Sequence, residues 1–170
     1  MKFTHLTDTG DAYMVDVTAK NPTVREATAI GTVTCSPDVV KALRDGTVPK
    51  GDVLAVARVS GISGAKKVPE LLPLAHPIGI HGASVDLSIE DHGVDIKATV
   101  RTADRTGVEM EALTAVTIAA LAIVDMVKGV DRSAEITDCR IIAKSGGRSG
   151  DWYRPGYEPT ENTSQPPESQ

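Results

Sequence analysis

One segment constrains this chain more than any other. Residues Val108 to Lys128 read VEMEALTAVTIAALAIVDMVK, hold a helical period for about six turns and stop at Gly129. Val108, Leu113, Val116, Ile118, Leu121, Ile123 and Val127 spread over more than one face of that helix. A sheet covers only one stripe of a helix, so the surplus implies a second partner, most simply another subunit. Burial between the sheet and the N-terminal arm of one chain is the alternative. Threonines and the charges of Asp125 and Lys128 break the stretch too often for a bilayer span.

The flanking segments call for strands. Glu26 to Cys35 (EATAIGTVTC) is rich in Val, Thr and Ile and predicts a strand. Ser36-Pro37 then opens a helix that ends at Gly46, with Ser36 as the expected cap. Lys50-Gly51-Asp52 leads into a second helix, weakened by Gly61 and Gly64, and a short helix is expected near Pro69 to Leu72. Residues Ile78 to Glu90 and Val94 to Thr102 alternate around Asp91-His92-Gly93 and predict a hairpin with one buried face. Ala134 to Lys144 predicts a last strand. This split β-α-β order points to an α+β, ferredoxin-like sandwich: an antiparallel sheet with helices on one face. The domain is expected over residues 25–153, after an extended N-terminal arm over 1–24. The Pro-, Ser- and Glu-rich residues 154–170 are expected to form a disordered tail.

Composition removes several function classes. A net charge of -5 argues against a nucleic-acid partner, and aromatic residues at 3% leave little to stack bases on. The first residues, MKFTHLTDTGD, lack the apolar core of a signal peptide. Cys35 and Cys139 make no disulfide framework and no zinc-ligand spacing, so a reducing cytoplasmic setting is expected.

Candidate chemistry concentrates at a few places. Asp125 and Lys128 stand three residues apart on the long helix and can pair. A carboxylate among apolar residues is costly without a partner, so the pair is either a structural ion pair or part of a site. At the other end, Glu109 and Glu111 sit where the helix dipole favours carboxylates. Glu111 and Asp125 project within roughly 40° of each other but lie about 21 Å apart along the axis. One helix cannot bring both to one reacting centre, whereas two antiparallel helices related by a two-fold axis can. Lys50 opens a helix, where an anion would be held; an ordinary loop lysine is the alternative. His76 is fixed between Pro73 and Pro77, which suits a positioned acid, base or donor; a structural histidine is the alternative. Lys66 and Lys67 follow two glycines and read first as a solvated charge pair. Lys144-Ser-Gly-Gly-Arg-Ser-Gly150 is Gly-rich and basic, able to cradle phosphate or merely to leave a strand flexibly. Together these suggest acid–base chemistry on an anionic substrate.

At that point an ordered set of motifs comes into view. Met14-Val-Asp-Val17, Val24-Arg25-Glu-Ala27, Lys50-Gly-Asp-Val53, Leu72-Pro-Leu-Ala-His-Pro77, Thr106-Gly-Val-Glu-Met-Glu-Ala-Leu-Thr114 and Ala143-Lys-Ser-Gly-Gly-Arg-Ser-Gly-Asp151 resemble successive signatures of the cyclic pyranopterin monophosphate synthase family of molybdenum-cofactor biosynthesis. The resemblance runs from about Thr4 to Asp151. It implies a ferredoxin-like subunit in a homo-hexamer, a trimer of dimers, with active sites at dimer interfaces. The implied substrate is 3′,8-cyclo-7,8-dihydro-GTP, and the products are cyclic pyranopterin monophosphate and pyrophosphate. The resemblance also implies catalytic roles for Asp125, Lys128 and Lys50. Leu74, Ala75, His76, Met110 and Glu111 would contact substrate, and Arg25, Lys66 and Lys144 would lie near its triphosphate. No cofactor is required by the sequence, although Mg²⁺ could accompany the triphosphate.

The chain departs from the family in places. Ala75 stands where Cys is common, which removes a thiol beside His76. Val68-Pro69 replaces more polar residues after Lys66-Lys67, and Arg148 replaces a common Lys. A catalytically inactive nucleotide- or pterin-binding regulatory protein on the same fold is the competing reading.

Overall fold

The computed structural model describes Thr7 and residues 9–157. After an arm whose described residues run without helix, the chain forms β1 (Thr23–Thr34), α1 (Pro37–Asp45), α2 (Val53–Ala65), α3 (Val68–Leu71), β2 (Gly82–Glu90), β3 (Gly93–Asp104), α4 (Glu109–Val127), β4 (Glu135–Ser145) and β5 (Trp152–Tyr153). The strands make one antiparallel sheet in the order β2-β3-β1-β4-β5. The first four stand in the order of a ferredoxin-like sandwich, as expected, and the short β5 extends the β4 edge.

Strand period fixes the two faces. Ala27, Ala29 and Val33 of β1, with Val94, Ile96, Ala98 and Val100 of β3, are buried beneath the helices. Residues between them point to the uncovered face. There, register opposites pair across β1 and β3: Thr28 with Thr99 at 3.1 Å, Thr32 with Asp95 at 2.8 Å, and Glu26 with Arg101. Gly31 falls in the buried row, where a Cβ would stand 2.6 Å from Val116 Cγ1 and 2.8 Å from Cys139 Sγ, so the missing side chain lets α4 lie close on the sheet.

α4 is the central helix, with Ala112, Ala115, Val116, Ala119, Ala120 and Ile123 fully buried. By length and composition alone it could cross a membrane, but here it packs between the sheet and α2. The two glycines that weaken α2 as a helix have a packing reason. A Cβ on Gly61 would lie 2.7 Å from the Ala115 carbonyl, and one on Gly64 would lie 2.8 Å from Ile118. Part of the apolar surplus on α4 is thus met by α2, while Leu121 on α4 and Val59 on α2 remain 55% and 68% exposed.

Local details differ from the sequence expectation. Ser36 precedes α1 but makes no side-chain cap; its backbone N–H is instead bonded by Asp131. Arg154 to Tyr157 lie in the expected tail, yet they are fastened to β4. The Arg154 N–H donates to Ile142, its Nε to the Ile141 carbonyl at 2.7 Å, and Arg140 donates to the Tyr157 hydroxyl at 2.9 Å. The rest of that tail, residues 158–170, and residues 1–6 and 8 of the arm lie outside the described residues.

Candidate active site

The C-terminal turn of α4 gathers the first cluster. Asp125 Oδ1 accepts a hydrogen bond from Lys128 Nζ at 2.6 Å, and its Oδ2 one from Lys50 Nζ at 3.2 Å. Lys50 arrives from the loop between α1 and α2 and also donates to the Asp125 backbone carbonyl at 2.7 Å. That carbonyl is among those a helix leaves unpaired at its end, so Lys50 caps α4 as well as pairing with the carboxylate. The ammonium of Lys128, and then that of Lys50, holds the Asp125 carboxyl below its ordinary 3.8. All three side chains are about half exposed. A carboxylate between two ammonium groups can orient either amine and take up or return a proton.

The N-terminal end of α4 forms the second cluster. The turn Leu72 to His76 faces Thr106, Gly107, Glu109, Met110 and Glu111 across a cavity of about 660 Å³. Leu74, Ala75, His76, Met110 and Glu111 are thus brought together. Glu111 is buried, and burial pushes its carboxyl up, with the charge of Glu109 adding to the rise. His76 Nε2 lies 2.6 Å from the carbonyl oxygen of Val15 in the arm.

A smaller cavity of about 250 Å³ adjoins it through Thr106, Gly107 and Glu109, and adds Arg25, Lys144 and Gly146. Lys144 Nζ donates to Glu109 Oε1 at 3.0 Å. Arg25 donates through Nε to the Asp104 carbonyl at 3.0 Å and through a terminal nitrogen to that of Arg105 at 3.2 Å. Gly146 and Gly147 stand over β1 with φ of +81° and +76°; a Cβ on Gly147 would fall 2.3 Å from the Arg25 guanidinium. The Gly-rich segment therefore passes close over Arg25.

Lys66 is not brought to either group. It is exposed beyond the end of α2, and it lines neither cavity. A further cavity of about 660 Å³ opens on the uncovered sheet face among Thr32, His92, Asp95, Arg140 and Tyr157. None of the expected site residues lines it, and four of its charged side chains pair with one another, His92 with Asp95 and Arg140 with Asp138. Cys35 and Cys139 are free and part-buried, and burial pushes the Cys35 thiol up to about 11.

Two participants escape sequence reasoning. Glu109 reads as an ordinary helix-start carboxylate until Lys144 is placed against it. The Val15 carbonyl has no side-chain signature at all.

The comparisons place the chain in a family. The family model described as MoaC family matches residues 14–147. A Streptomyces coelicolor protein is 58% identical over 153 residues, covering 90% of each chain. One from Nocardioides sp. is 57% identical over 91% of this chain and 96% of its own, and one from Geobacter sulfurreducens is 51% identical over 91% and 98%. All three are named cyclic pyranopterin monophosphate synthase. With more than half its length matched by the family model, and with relatives this similar over 90% of the chain, the chain belongs to the MoaC family.

Proposed function

We propose that this chain converts 3′,8-cyclo-7,8-dihydro-GTP into cyclic pyranopterin monophosphate and pyrophosphate, a step of molybdenum-cofactor biosynthesis, by acid–base catalysis through Lys50, Asp125 and Lys128. Membership of the family makes it an enzyme of the lyase class. The observation that carries the mechanism is the Asp125 carboxylate held between two lysine ammonium groups. Rebuilding a purine-derived ring as a pterin needs several proton transfers, which suits lysines oriented by one ionised carboxylate.

The roles divide by position. His76, Leu74, Ala75, Met110 and Glu111 would receive the ring system in the larger cavity, and Arg25 and Lys144 would meet the triphosphate beside it. Lys66 would join them only from another chain. The same holds for the lysine–aspartate cluster, about 21 Å along α4 from Glu111. A second copy of the chain related by a two-fold axis would bring the clusters together, within the homo-hexamer expected for the family. Free thiols suit the reducing cytoplasm. If Mg²⁺ travels with the triphosphate, the phosphate oxygens would hold it, since no group of three or more His, Cys, Asp or Glu among the described residues is placed to do so.

The test is product formation from 3′,8-cyclo-7,8-dihydro-GTP by wild type and Asp125→Asn, following pterin and pyrophosphate together. Wild type should release both, and the folded variant neither. Binding without conversion by wild type would favour the inactive binding protein. Absence of both would refute the reading.

A further inference from the structure

Asp131 belongs to neither cluster, yet it stands three residues beyond Lys128 and is only 8% exposed. Its carboxylate meets three donors. Oδ2 accepts from the backbone N–H of Ser36 at 2.7 Å, and Oδ1 accepts from the Ser133 N–H at 2.8 Å and the Ser133 hydroxyl at 2.6 Å. The Asp131 and Val130 N–H groups both close onto the Val127 carbonyl at 2.9 Å. One side chain therefore shapes the turn that ends α4 and ties it to the residue that opens α1.

Those two segments carry the catalytic groups. The last turn of α4 holds Asp125 and Lys128, and α1 with its following loop delivers Lys50. The Asp131–Ser36 bond joins the two at one end, and the Lys50–Asp125 contacts join them at the other. Donors on both sides require acceptors on both oxygens, which an aspartate supplies and an amide does not: whichever way Asn is turned, its NH₂ meets a donor.

We infer that Asp131 is a positioning residue, holding the exit of α4 so that Asp125 and Lys128 face Lys50. The inference rests on the catalytic role proposed for those three side chains. Its reach is geometric, because small displacements of reacting groups are costly in rate.

The test compares wild type, Asp131→Asn and the milder Ser133→Ala, which removes one of the three bonds. Product formation gives kcat and KM, and carboxyl ¹³C NMR gives the titration of Asp125. Asp131→Asn should lower kcat roughly tenfold, and Ser133→Ala roughly twofold, with KM held within about twofold. In both variants the Asp125 titration should move up towards 3.8, as the lysines that depress it drift away. A variant that melts earlier but keeps wild-type kcat per folded molecule would show Asp131 to be structural only and overturn the inference. So would an unmoved Asp125 titration, which Ser133→Ala decides alone should Asp131→Asn fail to fold. If wild type makes no product, the proposed function fails, and the titration still decides the geometry.

Discussion

The Nε2 atom of His76 lies 2.6 Å from the backbone carbonyl oxygen of Val15. A carbonyl only accepts, so this ring nitrogen must carry the proton, and in the neutral ring Nδ1 is left as the acceptor. Removing residues 1–17 should leave the fold standing, let both tautomers appear in ¹⁵N spectra of His76, and cut product formation about tenfold or more. A truncated chain that kept the single Nε2–H tautomer would show that the arm does not set it.

Asp125 offers a pH signature. Its carboxyl is held below 3.8 chiefly by Lys128 and next by Lys50. Because the folded value is lowered, its stabilising contribution is present above 3.8 and is lost as pH falls through the lowered value. Lys128→Met should move the Asp125 titration upward, towards 3.8, and carboxyl ¹³C NMR of the two proteins over a pH series checks this.

Asp131 predicts acid sensitivity of a different kind. The Ser133 hydroxyl, then the N–H groups of Ser36 and Ser133, hold its carboxyl down at about 2 against an ordinary 3.8. The stability it confers is complete above 3.8 and is lost as pH falls through about 2. Urea denaturation should show wild type ahead of Asp131→Asn at neutral pH, with the gap closing below 3.8.

Gly61 predicts a packing cost. Replacement by Ala gains about 1 kcal/mol in helix propensity, but the new Cβ would stand 2.7 Å from a backbone carbonyl that no rotamer change can move. Overpacking against backbone exceeds that gain, so Gly61→Ala should lose about 1–2 kcal/mol net, read from the urea midpoint.

Much of this was legible in the residues because it is local. The period of α4, the stop at Gly129 and the alternation of β2 and β3 need no knowledge of the rest of the chain, and they imply the α+β sandwich directly. The pairing of Asp125 with Lys128 follows from helix geometry, whereas the approach of Lys50 depends on a loop folding back from α1. The Val15 carbonyl, the docking of Arg154 and Tyr157 on β4, and the Ser36–Asp131 bond are long-range and partly backbone contacts, which composition and period do not encode. Asp131 left one trace: an Asp two residues before a Ser just past a helix end is the pattern of a side chain bonding its own turn.

The span of α4 has a consequence of its own. The helix is a ruler between the two proposed kinds of chemistry, acidic and ring-receiving at one end, cationic and proton-moving at the other. Inserting a single residue at its middle would swing one end about 100° around the axis relative to the other and lengthen it by about 1.5 Å. Side chains along its flanks can change, but the number of residues between Glu111 and Asp125 is as much a part of the proposed site as either carboxylate.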